Sequence, residues 1–390
     1  MSDRPPLDLL DGAAYVDGTY ERYAWFREHE PVAWDDVNEL WGVFRHADVV
    51  EIETRDDVFI SSDQAKGGYR PNIPADPAII GLDNPLHSQR RKLVSKRFTP
   101  RAVAGREERV REVVVDLIDA ALSKGTADVV ADLAAPLPAR MIGWLLGFPE
   151  DAWPKLRDWS ERTIMLGGGP RYMNDDGLAA FTEFLGAASA LYDERQGCPA
   201  DDTMTTWTTA EIDGRPLDKR EVLADCLLLL DGGAETTRTV IARSILELAR
   251  RPDQWALLKD GADVATAAEE FIRWVSPIHN MCRVANQDYE IGGVTITTGQ
   301  QVVLMYGSAN RDDSHFDDAE RFDVTRKPND HIAFGLGTHF CLGAGLARLE
   351  IRVFFEEFVK RVSAVRIASD PVEMPNAFVF GLKSGQVELT

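Results

Sequence analysis

Residues 334–343 read FGLGTHFCLG, and this stretch determines how the rest of the chain is interpreted. It places one cysteine, Cys341, in a glycine-rich turn. Apolar residues recur at helical spacing directly afterwards, which predicts a helix that begins just beyond the cysteine. Backbone N–H groups at a helix N-terminus favour an anion. We therefore expect that the pKa of the Cys341 thiol is lowered and that the cysteine is a thiolate. The glycines would let a flat ligand approach closely, although a lone cysteine is more often buried and inert.

Composition excludes several classes of protein. The net charge of the 390 residues is −21, which disfavours non-specific binding to nucleic acid. No run of apolar residues approaches the roughly 20 needed to span a bilayer, so no membrane insertion is expected. The N-terminus has no apolar segment typical of a signal peptide, and the four cysteines have no CxxC spacing. These features predict a cytoplasmic protein with reduced thiols.

The segment between residues 90 and 111 carries a net positive charge, although the chain as a whole is acidic. Glu107 and Glu108 are the acidic residues there, and they face nine basic residues: Arg90, Arg91, Lys92, Lys96, Arg97, Arg101, Arg106, Arg109 and Arg111. One interpretation is a solvated helix face. The other is a docking surface for an acidic partner protein.

A second anchor is a long helix predicted over about 219–250. Asp218 and Glu221 have the spacing of an N-terminal capping box, and Pro252 marks the end of the helix. Its middle reads DGGAETT at residues 231–237. Glycines there cost about 1 kcal/mol each relative to alanine, and buried polar groups cost more unless paired. The segment is therefore functional, or it is a kink in which Thr236 bonds back to a carbonyl.

Two shorter motifs place charged residues on helix faces. A helix capped by Asn84 would carry His87 and Arg91 on one face, four residues apart. Glu270 and Arg273 could pair in the same way at a spacing of three. Such pairs are common on protein surfaces, so neither motif is specific by itself.

The remaining periodicity predicts short elements. They are a hairpin over 31–44, helices at about 104–123, 150–165 and 177–195, strands between 289 and 304, and a hairpin over 378–387 whose tip could enter a substrate pocket. Residues 61–81 contain several prolines and glycines without periodicity. A loop of that length is usually a lid or a binding loop, with disorder as the alternative.

Together the motifs resemble those of the cytochrome P450 family: the cysteine turn, the DGGAETT helix, the Glu270–Arg273 pair and the His87–Arg91 pair. The resemblance implies a mainly α fold with a small β region, a single domain over 1–390 shaped as a triangular prism, and no fused reductase. It also implies that haem b, iron protoporphyrin IX, lies between the long central helix and the cysteine-ligand helix.

The resemblance assigns roles to individual residues. Cys341 would be the axial ligand of the haem iron, and Glu235 and Thr236 would deliver protons for oxygen activation. The other residues expected to contact haem are His87, Arg91, Arg283 and His339 at the propionates, together with Gly233, Ala234, Phe334 and Gly343. Arg321 is expected as the third partner of the Glu270–Arg273 pair, and residues 164–184 as a lid.

The implied reaction is monooxygenation of a hydrophobic substrate by O2. Electrons would come from a ferredoxin and an NAD(P)H-dependent ferredoxin reductase, and the enzyme would act as a monomer. Residues 132–138, 229–238, 280–284 and 331–343 look like those of actinobacterial enzymes that oxidise a terminal side-chain methyl of cholesterol or cholest-4-en-3-one. Macrolide, terpene and fatty-acid hydroxylases remain alternatives, as does a non-catalytic haem sensor or carrier.

Overall fold

The computed structural model describes residues 4–63, 65–73 and 77–390. Helices dominate it, as predicted from the sequence. They are α1 (Thr19–His29), α2 (His46–Glu53), α3 (Leu86–Ser95), α4 (Pro100–Ala104), α5 (Glu107–Lys124), α6 (Pro136–Leu146), α7 (Trp153–Thr163), α8 (Asp175–Gly197), α9 (Thr203–Thr208), α10 (Lys219–Arg250), α11 (Pro252–Lys259), α12 (Val264–Val275), α13 (Tyr306–Ala309) and α14 (Ala344–Arg361).

The β region is small and divided among several sheets. The strands are β1 (Val32–Asp35), β2 (Leu40–Val43), β3 (Phe59–Ile60), β4 (Thr126–Asp128), β5 (Glu211–Ile212), β6 (Arg215–Pro216), β7 (Asn280–Ala285), β8 (Tyr289–Ile291), β9 (Val294–Ile296), β10 (Gln301–Met305), β11 (Val365–Ile367), β12 (Val372–Glu373), β13 (Leu382–Ser384) and β14 (Gln386–Leu389). The largest sheet has the order β1-β2-β10-β7-β3. Its first two strands form the antiparallel hairpin predicted over 31–44.

The long central helix is α10, which runs for 32 residues through the core. Asp218 and Glu221 form the predicted capping box, and the next helix begins at Pro252. The helix packs against α6, α7, α8, α12 and α14, which agrees with the run of four leucines at 227–230. It is continuous through 231–237, and the Thr236 hydroxyl donates to the Gly232 carbonyl at 2.7 Å, as the kink interpretation expected.

One stretch, Val129–Leu146, is long and apolar enough by composition to cross a membrane, with a mean hydropathy of 1.4 over 18 residues. However, 78% of it is buried inside the protein. It ends with α6, which packs against α10. Its hydropathy is therefore explained by a place in the core.

Two local predictions are wrong. The residue that caps α3 is Pro85, and the Asn84 side chain instead accepts a hydrogen bond from Ser88. The tail does not form a hairpin over 378–387, because β13 pairs with β12 while β14 pairs with β11 and β4. The connection between β12 and β13 nevertheless carries Phe378 into the central cavity, where the predicted tip was expected.

The Glu270–Arg273 pair is fully buried, with Arg273 Nε 2.7 Å from Glu270 Oε2. The third guanidinium belongs to Arg326, whose Nε lies 3.2 Å from the same oxygen, and not to Arg321 as predicted. Glu270 also accepts the backbone N–H of Asp323, which fixes the chain beyond Arg321 against α12. The Arg321 side chain therefore points to solvent, and only its carbonyl reaches Arg273.

Candidate active site

A cavity of about 1080 Å³ lies between α10 and the segment that leads into α14. The two sequence anchors form opposite walls, as expected. Residues of α10 in the wall are Gly232, Gly233, Thr236, Thr237 and Val240, and those of the facing segment include Phe334, Gly335, His339, Cys341 and Gly343. The structure therefore brings together most of the residues singled out in the sequence.

The turn that carries Cys341 has the geometry its glycines predicted. The Cys341 N–H donates to the Phe334 carbonyl at 2.9 Å, which closes the loop. Gly335 and Gly337 have φ values of 66° and 62°, in the left-handed region that favours glycine. A Cβ at Gly337 would also lie only 2.7 Å from the Glu53 carbonyl oxygen. A side chain at either position would disturb the cysteine loop.

The environment of the Cys341 thiol differs from the prediction in one respect. Burial is the largest influence and raises its pKa, whereas a lowered pKa was expected. Hydrogen bonds from the backbone N–H groups of Gly343 and Ala344 and the charges of Arg91 and Arg348 act in the opposite direction. These groups are positioned to stabilise negative charge on the sulfur once a cation draws the proton off.

Four donors expected at the propionates all line the cavity: His87, Arg91, Arg283 and His339. The rings of His87 and His339 are 4.2 Å apart, and the buried His87 Nδ1 has no hydrogen-bond partner among the described residues. Burial, with the Arg91 charge, lowers the pKa of His87 to about 4. Burial, with the Arg283 charge, lowers that of His339 to about 2. A carboxylate ligand would relieve this crowding of donors.

Glu53 is a site residue that the sequence interpretation missed. Its buried carboxylate accepts hydrogen bonds from Arg283 at 3.0 Å, from the Tyr306 hydroxyl at 2.8 Å and from the Leu336 N–H at 2.9 Å. It thus ties the end of α2 to the cysteine loop. An acidic residue at a helix end, 283 positions from Leu336, carries no local signal of this role.

The structure does not bring all of the predicted α10 residues to the cavity. Thr236 and Gly233 line it, whereas Ala234 and Glu235 do not. Glu235 is buried on another face of the helix, paired with Arg238. Asp231, four residues before Glu235, does line the cavity, and its carboxylate accepts a hydrogen bond from the Thr163 hydroxyl at 2.8 Å. Burial raises the pKa of both acids.

Much of the rest of the cavity wall is apolar. The region predicted as a lid, 164–184, contributes Ile164, Leu166, Gly167, Met173 and Phe181 to this wall, and Leu185 of α8 follows them. Met173 and Phe181 are 52% and 36% exposed, so they mark the edge where the cavity meets solvent. A hydrophobic substrate would find an apolar route from this edge toward Cys341.

The basic segment from 90 to 111 is largely neutralised within the fold. Arg90 is buried against Asp225, and Arg97, Arg109 and Arg111 each pair with acidic residues. Arg106 is also buried and donates to the Arg97 carbonyl. The exposed basic side chains that form no ion pair within the described chain are Lys92, Lys96 and Arg101. The predicted docking surface is therefore smaller than the sequence suggested.

Two of the remaining basic residues, Lys92 and Arg101, lie on helices that contact the cysteine loop or the helix after it. Lys92 follows Arg91, whose guanidinium donates to the Phe340 carbonyl next to Cys341. Arg101 lies on α4, which packs against α14. Phe340 itself is 38% exposed. We call Lys92, Lys96, Arg101 and Phe340 the cysteine-side face.

Comparison with known proteins identifies the family. A model of the cytochrome P450 family matches residues 264–389. A steroid C26-monooxygenase of Mycobacterium tuberculosis is 37% identical over 400 residues, covering 100% of this chain and 98% of the relative. The chain is a cytochrome P450. A linalool 8-monooxygenase of Pseudomonas putida is also similar to this P450, at 35% identity over 99% of both chains.

A solved cytochrome P450 structure supports the fold independently. The cytochrome P450 of Mycobacterium marinum in complex with pseudoionone has a TM-score of 0.90 and 32% identity, covering 99% of this chain and 100% of that one. The mainly α P450 fold predicted from the sequence is confirmed. The enzyme is a haem-thiolate monooxygenase related to actinobacterial steroid hydroxylases.

The residues present fit the haem b that the family carries. The cavity between α10 and the cysteine loop offers one thiol and several groups that can donate hydrogen bonds to a propionate carboxylate. They include His87 Nδ1, which has no partner among the described residues. Across the described ranges, no three His, Cys, Asp or Glu residues lie close enough together to hold a metal ion. Cys341 would be the residue that binds the haem iron, and the haem would supply the chemistry of oxygen activation.

Proposed function

We propose that this P450 oxidises a terminal side-chain methyl group of a sterol, with cholesterol or cholest-4-en-3-one as the best candidate. The observation that supports this most directly is the apolar cavity, which extends from the solvent edge at Met173 to Cys341. Relatives of the chain include several named steroid C26-monooxygenases. We propose that this chain acts on the same class of substrate.

In this proposal, haem supplies the activation of O2 and the oxidation of the C–H bond. Cys341 holds the iron, with the Gly343 and Ala344 N–H groups donating to its sulfur. His87, Arg91, Arg283 and His339 bind the propionates through charge-assisted hydrogen bonds. Arg283 already pairs with Glu53, so its orientation is fixed before haem enters.

We propose that Thr236 and an acid of α10 deliver protons to the reacting oxygen. The Thr236 hydroxyl faces the cavity and now donates to the Gly232 carbonyl, a bond that it can exchange for one to water or substrate. Glu235 would have to leave Arg238 to reach the cavity. Asp231 on the same helix already lines the cavity and is a second candidate. Their raised pKa values favour the proton-donating form.

We also propose that electrons arrive from a ferredoxin, reduced by an NAD(P)H-dependent reductase, at the cysteine-side face. The protein is otherwise strongly acidic, so its exposed Lys92, Lys96 and Arg101 would orient an acidic partner toward Cys341. Residues 1–390 would act as a single monomeric domain in the cytoplasm. The free thiols of Cys198, Cys226, Cys282 and Cys341 support that compartment.

An optical titration tests the substrate proposal. Cholest-4-en-3-one and cholesterol should shift the haem-loaded protein from low to high spin, whereas a macrolide and a fatty acid should not. Turnover with ferredoxin and reductase should then give a product hydroxylated at the end of the side chain. A spin shift with the macrolide or the fatty acid alone would overturn the sterol assignment and leave the monooxygenase class unaffected.

A further inference from the structure

Arg70 places a buried guanidinium group in the wall of the substrate cavity. The residue lines the cavity and is 3% exposed. Its Nε donates to the Gly167 carbonyl at 2.8 Å, and its Nη1 donates to the carbonyl and side-chain oxygens of Asn280 at 3.0 and 2.9 Å. The third nitrogen, Nη2, is buried without a hydrogen-bond partner in the described part of the chain.

Among the described residues, Arg70 also has no carboxylate that forms an ion pair with it. Arg283, in the same cavity, pairs with Glu53, but no ion pair of Arg70 occurs within 4–63, 65–73 and 77–390. Its neighbours are neutral carbonyl, amide and aromatic groups, including Phe378, whose ring centre is 3.9 Å from the guanidinium carbon. Burial lowers the pKa of Arg70 only to about 10, so it is cationic at neutral pH. A buried, unbalanced cation with a spare donor is costly unless a ligand completes it.

We propose that Arg70 binds the oxygen at the polar end of the substrate and so selects hydrophobic molecules with an acceptor oxygen remote from the oxidised carbon. This inference rests on the proposed sterol function and names the part of the sterol that is recognised, its ring oxygen. The Phe378 ring covers the guanidinium and lies on the connection between β12 and β13. A shift of this ring opens Nη2 to the ligand.

The position of Arg70 separates the recognised oxygen from the proposed propionate contact. Asn280, which anchors Arg70, lies on strand β7 three residues before Arg283, the proposed propionate contact. At about 3.3 Å per residue, the two points are about 10 Å apart along the strand. The recognised oxygen is therefore well separated from the haem edge. A 3-oxygenated sterol that directs its side chain toward Cys341 likewise has its polar end remote from the reacting carbon.

The test is a cycle that changes both the side chain and the ligand oxygen. Dissociation constants would be measured by spin-state titration for the haem-loaded wild type and Arg70→Met, with cholest-4-en-3-one and with cholest-4-ene, which lacks the ketone. The wild type should bind the ketone roughly 10- to 100-fold more tightly, because a charged donor meets a buried acceptor. Arg70→Met should lose that preference and bind cholest-4-ene as the wild type does.

An equal loss of affinity for both ligands would overturn the inference, because Arg70 would then only brace Gly167 against Asn280. Arg70→Lys is the second variant, for use if Arg70→Met does not load haem, and it should retain part of the ketone preference. If the wild type binds neither sterol, the sterol proposal fails separately. The same criterion is then applied to pseudoionone and the hydrocarbon that lacks its ketone. A hydrocarbon bound as tightly as its ketone by the wild type would refute a role for Arg70.

Discussion

Replacement of Arg326 by alanine should destabilise the protein far more than replacement of Arg321. The Arg326 guanidinium meets Glu270 and donates to three backbone carbonyls, those of Asp317, Asp318 and Arg321. Loss of one partner of a buried ion pair costs about 3–5 kcal/mol. Glu270 would keep Arg273, so the lower end, about 3 kcal/mol, is expected for Arg326→Ala. Arg321→Ala removes an exposed side chain and leaves its carbonyl, so about 0.5 kcal/mol or less is expected.

Each variant should be unfolded in its haem-loaded form with guanidinium chloride, and tryptophan fluorescence should report the unfolding. Arg326→Ala should lower the denaturant midpoint without changing the slope. It should also raise the fraction of protein with a carbon monoxide spectrum that is not typical of thiolate ligation, because Glu270 and its partners hold the segment that leads to Cys341. Equal midpoints, or a larger effect of Arg321→Ala, would show that the third guanidinium has been misassigned.

Four further predictions concern the haem site and the cysteine-side face. Cys341→Ala should abolish the thiolate-type carbon monoxide spectrum, and an unchanged spectrum would refute Cys341 as ligand. Arg283→Ala should speed haem loss to apomyoglobin, since a charge-assisted bond is worth about 1.5–3 kcal/mol; unchanged loss would contradict this role. Charge reversal of Lys92 and Lys96 should slow the reduction of the P450 by ferredoxin and weaken the salt dependence of that rate. Stopped-flow reduction rates equal to those of the wild type would contradict the docking proposal. Thr236→Ala should retain haem and substrate binding, but the electrons from NADH should reduce O2 to peroxide instead of supporting hydroxylation. A wild-type ratio of product formed to NADH consumed would mean that this segment is only a structural kink.

The features that the sequence predicted correctly depend on neighbours in the chain. The capping box at Asp218 and the glycine turn before Cys341 are both local in this sense. Features that depend on remote partners were missed or misassigned. Glu53 reaches the cysteine loop only through the fold, and the choice of Arg326 over Arg321 follows from where Glu270 anchors the chain. Hydrophobic periodicity alone cannot supply such information, because it shows which face of a helix or strand is buried and not which residues pack against that face.

The pairing of β4 with β14 has a consequence for biosynthesis. Gln386 reaches back across 258 positions to the Asp128 side chain, so the sheet that leads into the apolar stretch Val129–Leu146 closes only when the last residues emerge. At 5–20 residues per second, that wait is roughly 13 to 50 s on the ribosome. Throughout this interval Asp128, at the start of that stretch, lacks its strand partner, while α10 already covers α6. This sheet should therefore be among the last parts of the fold to form, and chaperone supply should affect the yield of enzyme in which it has closed.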